Sequence, residues 1–330
     1  MANRKLAVGY RLILFYTAFV FGFGAVECRG ENLTLAVSTL TYGHSPLWVA
    51  QRKGFYSQEG LELEIPALES GSRAMQALLG GSAQIAATTP EDLIRATEAG
   101  SPTVILAGVL NGLTHSLMAN PKFKRVADLK GGKVAASSIT GSVTYALKLM
   151  LAKNDVHYPK DYLIIQIGGS GVRFAALKGG GIDAALVAEP LALVAEEAGL
   201  SNIGLVSDYL PHMQVTVVGV RSDWAKANRG VVVRYLKGLV RTFRWLYANK
   251  EEGIEATSAI AKVEKKFGTR AYKIYTEKQV WPIDGSPTME GIKVVLDSMH
   301  ADKILATPQR PEKYVDLSYL NEALKQLGPK

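Results

Sequence analysis

The chain has 330 residues, with 38 lysines and arginines against 30 aspartates and glutamates, a formal charge of +8. Apolar residues make up 48% and charged residues 21%, which excludes a disordered polar chain and a highly charged coiled coil. One cysteine excludes a disulfide framework and any zinc site of paired cysteines, and 32 glycines with no short period exclude collagen and low-complexity readings.

The chain opens with a basic segment (Arg4, Lys5, Arg11), followed by an apolar run over residues 12–25. That run is too short to span a bilayer comfortably and suits a secretory signal, so residues 1–25 are expected to be a leader. Gly24, Ala25 and Gly30 are all acceptable ends, and an uncleaved anchor is the alternative. Cys28 stands where the lipid-bearing cysteine of a bacterial lipoprotein would, but Glu27 precedes it where a small residue is needed. Without residues 1–25 three basic residues are lost and no acidic ones, so +8 becomes +5. That surplus is spread along the chain; the densest run, KVEKK at 262–266, holds a glutamate and reads as a solvated helix face, so no nucleic-acid partner is expected.

An internal duplication follows. Residues 77–100 (ALLGGSAQIAATTPEDLIRATEAG) and 176–199 (ALKGGGIDAALVAEPLALVAEEAG) match at nine of 24 positions without a gap. Chance would give roughly two or three. The same offset of 99 aligns LAVSTLT (35–41) with VAASSIT (134–140), and SGSR (70–73) answers SGVR (170–173) with a one-residue slip. The repeated unit alternates strands and helices. Strands are expected at 33–38, 61–67 and 83–87 in the first copy and at 133–137, 162–167 and 182–187 in the second. Helices are expected at 47–56, 72–79 and 91–99, and at 142–153, 172–178 and 191–198.

Alternation of this kind implies an α/β protein of two lobes, each a mainly parallel sheet with flanking helices. Residues 104–110 and 213–220 read as further strands, 227–249 as a long amphipathic helix, and the remainder as mostly helical, ending with 317–327. The later helices have no counterpart in the second copy and are expected to return to the first lobe. This predicts lobe 1 at 31–115 plus 215–330 and lobe 2 at 116–214, with crossings near 113–119 and 209–216.

Ligands of open parallel sheets sit outside the carboxyl ends of the strands. The loops there are 39–45 and 138–142, 71–72 and 169–171, and 88–91 and 188–190. They are rich in hydroxyls and glycine and precede helix starts, which hold anions well. Gly141 and Ser142 form the best anion cradle, with hydroxyls from Ser138 and Thr140, one of which capping alone explains. Thr39 and Thr41 line the first loop, where Tyr42 and His44 supply rings that can stack on a flat ligand, hydrogen-bond it, or simply pack. Thr88 and Thr89 lie in TTPE, which reads equally as a helix cap with a first-turn proline. Ser72 stands at the first glycine-serine turn. Glu189 can meet a ligand amine or hydroxyl, or salt-bridge across the cleft, and Asn111 joins the rim.

No catalytic residue, cofactor or metal is expected. The five histidines show no metal spacing, no GxxxxGK[ST] or GxGxxG is present, and Ser170 lies in GGSGV, which fails the GxSxG pattern.

PLWVAQRKGFYSQEGLELEI (46–65), ALLGGSAQIAA (77–87), DLKGGKVAASSITGSVTYALKLML (128–151), ALKGGGIDAALVAEP (176–190) and VDLSYLNEALKQLG (315–328) together resemble the ABC-transporter substrate-binding proteins of the aliphatic-sulfonate, taurine, nitrate and thiamine-pyrimidine-precursor group. The resemblance spans nearly all of the chain after residue 31. It implies a type II periplasmic binding fold, a monomer outside the cytoplasm, and docking on an ABC permease with its ATPase subunit. It maps the ligand loops to 39–44, 138–142 and Thr88-Thr89. It implies a small organic solute, an anion or a heteroaromatic ring. These loops carry no arginine for a sulfonate; Arg73 and Arg173 fall within helices, at places that equally serve structure. The related yeast pyrimidine synthases carry a cysteine-rich motif, which this chain lacks. An exported enzyme of other chemistry and a ligand-sensing receptor on the same fold are the rival readings.

Overall fold

Ten strands build two five-stranded sheets in the computed structural model, which describes residues 30–68, 70–137, 139 and 141–329. The expected leader, Cys28, Ser138 and Thr140 lie outside the described residues. The strands are β1 (Glu31–Val37), β2 (Leu61–Glu64), β3 (Ile85–Thr88), β4 (Thr103–Leu110), β5 (His115–Ala119), β6 (Gly132–Ala136), β7 (Tyr162–Gln166), β8 (Ala184–Ala188), β9 (Ser201–Leu205) and β10 (Thr216–Arg221). One sheet runs β2-β1-β3-β10-β4 and the other β7-β6-β8-β5-β9.

The duplication holds down to strand register. Leu35 pairs with Ile85 and Ala36 with Ala86; 99 residues on, Val134 pairs with Ala184 and Ala135 with Ala185. Leu33 pairs with Leu63, and Gly132 with Tyr162, at the same offset. Each sheet also carries one antiparallel strand, second from its edge: β10 in the first, β5 in the second. These two are exchanged. β5 enters the second sheet directly from β4 of the first, and β10 returns after β9. The stretch over 113–119 therefore is not a bare crossing, because β5 is a strand of the second sheet. Its five residues are too few to show a period, and β9 carries a glycine, so neither is marked in the sequence.

Burial explains the elements. Seven of the eight residues of β4 (TVILAGVL) are buried, as expected of a strand covered on both faces. The helix Arg229–Ala248 buries Val232, Tyr235, Leu236, Leu239, Phe243 and Leu246 at 3–4 spacing and packs on helices Ser45–Arg52 and Ser318–Leu327. The last helices do return to the first sheet's core. Among the described residues no helix is long and apolar enough to cross a membrane.

An aromatic cluster under the end of β1 holds this core to the loop that follows. Trp281 is fully buried. Its ring stacks on Tyr42 at 5.9 Å between centroids, and Tyr272 and Tyr275 lie at 5.6 and 4.8 Å. Its Nε1 donates to the Gly43 carbonyl at 2.8 Å. Gly43 has to be glycine, since a Cβ there would lie 2.9 Å from the Tyr275 ring and hydroxyl. Trp281→Ala is expected to cost about 3–5 kcal/mol, and Trp281→Phe, which keeps most of the ring but loses the hydrogen bond, about 1–2 kcal/mol. Urea unfolding of both variants checks the order; a Trp281→Phe variant as stable as the wild type would show that the indole N–H contributes nothing.

Candidate ligand-binding cleft

A cavity of about 720 Å³ lies where the carboxyl ends of the parallel strands of both sheets converge. From the first lobe it takes residues 38–42 and His44 after β1, and Thr89 after β3. From the second it takes Ser137 after β6, Gly169, Ser170, Gly171 and Arg173 beyond β7, and 188–191 with Val194 at the end of β8. The crossing segments add Gly112, Thr114, His115, Val215 and Thr216. A wall absent from the expectations comes from 261–264, Phe267 and Tyr275, around the helix Lys265–Glu277. Those residues follow the duplicated region, so the repeat could not point to them.

Thr39 and Thr41 line the cleft as expected, but the two rings beside them are committed to packing. Tyr42 is buried on Trp281; its hydroxyl donates to the Gly268 carbonyl at 2.9 Å and accepts from Thr257 Oγ1 at 2.9 Å. Burial pushes that phenol up to about 12. His44 has both ring nitrogens engaged, Nδ1 with Thr41 Oγ1 at 2.7 Å and Nε2 with Thr216 Oγ1 at 3.1 Å. Burial lowers it to about 4, so it is neutral at pH 7 and orients the two threonines.

Four expected contacts lie off the cleft. Thr88 is fully buried and gives its hydroxyl to Asp92, which also receives the hydroxyl of Thr89, the N-cap of helix Pro90–Glu98. Thr89 caps and still reaches the cleft wall. Ser72 is exposed, because Ser70 rather than Ser72 caps helix Gly71–Leu79. Asn111 is spent on structure: its Nδ2 donates to the Ser286 carbonyl at 2.8 Å and its Oδ1 accepts from Gln214 at 2.9 Å. Gly141, N-cap of helix Ser142–Ala152, donates its amide to Asp302 Oδ2 at 3.0 Å, so the expected anion cradle at Gly141-Ser142 already meets a carboxylate of the first lobe.

The second lobe supplies the buried charge. Arg173 is 3% exposed. Its Nε donates to the Leu186 carbonyl at 2.7 Å, one terminal nitrogen to the carbonyls of Ile167 and Gly168, and the other to Ser170 Oγ at 3.1 Å. Burial lowers it to about 10, which leaves it charged at neutral pH. Glu189 is 4% exposed; Oε1 accepts from Ser116 Oγ at 3.1 Å, and Oε2 is buried without a partner. Burial raises Glu189 to about 7 against the pull of Ser116; Glu196 raises it further, while the Leu193 amide and Arg270 draw it down. His115 is held down to about 3, by burial first and Arg173 second. Among the described residues no group of three metal-ligating side chains occurs.

A family model described as NMT1/THI5 like matches residues 41–253. YtlA of Bacillus subtilis (strain 168), which carries the name of a binding protein, is 25% identical over 257 residues, 74% of this chain and 75% of that protein. The alkanesulfonate-binding protein SsuA of Xanthomonas axonopodis pv. citri, solved with MOPS bound, superposes with a TM-score of 0.70 at 16% identity, covering 87% of this chain and 99% of SsuA. The desulfurization enzyme DszB superposes with a TM-score of 0.68 at 14% identity, covering 90% of this chain and 100% of that chain. The fold is thus the two-lobed type II periplasmic binding fold.

Glu189 predicts a pH response. Its folded value of about 7 lies above its ordinary 4.5, so the native state keeps a proton that the unfolded chain releases. Stability is full below pH 4.5 and falls as pH rises through 7. Glu189→Gln removes this loss and should gain on the wild type by up to about 3 kcal/mol between pH 5 and 8. Melting curves of both proteins across that range test it; a constant difference between them would refute the assignment.

Proposed function

We infer that this chain, which belongs to the NMT1/THI5-like family, is an extracytoplasmic solute-binding receptor that captures a small organic ligand between its lobes and delivers it to an ABC importer. The carrying observation is the cleft itself. One cavity is walled by matched loops of two lobes that share a strand register, with buried polar groups turned on it from both sides. The names of YtlA and SsuA point the same way.

The mechanism is capture by closure. In the open form the ligand meets one lobe; closing brings the other lobe's hydrogen bonds and expels water. A ligand shifts that equilibrium only by its differential affinity for the closed form. The intrinsic lip contacts are weak. Lys266–Glu197 at 2.6 Å and Arg270–Glu196 at 3.4 Å join the helix Lys265–Glu277 to the second lobe, yet most of these side chains are half exposed. Such pairs contribute about 0–1 kcal/mol each.

The protein acts without catalysis, as a monomer, with a membrane permease and its ATPase subunit as partners. The likeness to DszB, at 14% identity, extends to the fold and lends no activity. Native mass spectrometry of the protein purified without denaturation should reveal a retained small solute. Adding that solute back to stripped protein should raise the melting temperature by several degrees and reduce the radius of gyration in small-angle scattering. Conversion of many equivalents of the solute to a new product by the protein alone, abolished by one cleft substitution, would establish an enzyme instead.

A further inference from the structure

The lobes are copies, so matched positions can be compared directly, and they differ at the head of the second helix of the unit. In the first lobe Asp92 accepts the hydroxyls of Thr88 and Thr89, and its Oδ2 would lie 2.3 Å from a Cβ built on Gly71. A carboxylate of the chain therefore sits at the start of helix Gly71–Leu79, where the first N–H groups have no intrahelical acceptor and the dipole is positive. At the offset of 99, Gly71 becomes Ser170 and Asp92 becomes Leu191. The head of helix Ser170–Lys178 thus faces a hydroxyl and an apolar side chain.

Arg173 adds a full charge at that place. At the same offset its counterpart is Ala74, whereas Arg73 corresponds to the exposed Val172. The one-residue slip between SGSR and SGVR turns the second arginine by about 100° round its helix, from the solvent face into the cleft wall. The guanidinium meets three carbonyls and a hydroxyl, and among the described residues no carboxylate pairs with it. A buried cation without a counter-ion is costly, and an incoming anion removes that cost. The lining of the same cavity includes Glu189, whose Oε2 is buried without a hydrogen-bond partner. Ser170 Oγ accepts from Arg173 and from the amide of Ala188 at 3.2 Å, which ties the guanidinium to the residue preceding Glu189. Leu191 and Phe267 supply apolar wall around them.

We propose that the ligand is a small organic anion that also carries an N–H or O–H donor, its acid group docking on Arg173 at the head of helix Ser170–Lys178 and its donor turned to Glu189. This rests on the receptor reading above and names the chemistry of its ligand. The first lobe keeps its own acid, Asp92, at the matched place; the second takes its acid from the solute.

The test uses aromatic and aliphatic carboxylates and sulfonates, with and without hydroxyl or amino substituents, each beside its uncharged primary amide. Calorimetry and thermal shift are run on the purified chain, alongside native mass spectrometry for retained solute. Substituted acids should bind best and amides at least tenfold more weakly. Arg173→Gln should weaken the acids at least tenfold. Glu189→Leu should weaken the substituted acids at least threefold and leave unsubstituted ones within twofold. Leu191→Asp, which installs the carboxylate of the first lobe, should also cost the acids at least tenfold, and it decides the matter if Arg173→Gln does not fold. Amides binding as well as acids, or Leu191→Asp retaining acid affinity within twofold, would overturn this ligand chemistry and leave the receptor standing. Binding of no compound together with no retained solute would overturn the receptor itself.

Discussion

The cleft depends on one buried hydrogen bond, from the Trp281 indole to the carbonyl of Gly43. Loops at strand ends are mobile by default, since few contacts hold them. Here the loop after β1 is fixed from below: Trp281 takes its carbonyl, Tyr42 stacks on the indole, and the Tyr42 hydroxyl reaches the helix Lys265–Glu277 at Gly268. The same helix puts Phe267 and Tyr275 into the cavity. Anchor and wall are therefore one unit, and Thr39 and Thr41 line the cavity on a preorganised surface, with His44 holding Thr41 in place; such a surface has less ordering entropy to lose on binding.

The segments joining the lobes have an equally specific lock. Gln214 is fully buried, with its Nε2 within hydrogen-bond distance of the Leu110 and Thr216 carbonyls and of Asn111 Oδ1, while its Oε1 accepts from the Thr288 amide. Both connections thus pass through one amide side chain. This accounts for Asn111, whose place after an apolar strand looks like a ligand position: it ties the connections to each other and to Ser286.

Much of the architecture was legible because a duplication carries its own alignment, and an offset found in the letters reappears in the pairing of Leu35 with Ile85 and of Val134 with Ala184. The exchanged strand β5 was not, since strand exchange is a choice of partner rather than of local pattern. At the site, the loops were placed by the rule of strand ends, but the identity of their work was not. Tyr42 and His44 look like ligand rings because aromatic and imidazole side chains bind and pack with the same surfaces; only Trp281 and Thr216, more than 170 residues distant, decide it. Thr88 and Thr89 show the reverse, as their capping pattern was readable and Asp92 confirms it. The face of its helix that Arg173 occupies was not legible, because matching the letters SGSR with SGVR hides a helical rotation, whereas the helix bounds Gly71–Leu79 and Ser170–Lys178 keep the offset of 99.

Duplication also explains why the cleft is not symmetric in charge. Two identical lobes would present two positive helix heads to one solute, and a monoanion can satisfy only one of them at close range. The chain supplies its own carboxylate on one side, at Asp92, and has Leu191 at the matched place on the other, where Arg173 is buried. Asp302 does the same for the head of helix Ser142–Ala152, reaching Gly141 from the opposite lobe. That contact crosses between lobes, and a bond of its kind, with one partner charged, is worth about 1.5–3 kcal/mol to the arrangement that holds it. The lip pairs contribute less, and a bound solute adds to closure only its differential affinity for the closed form.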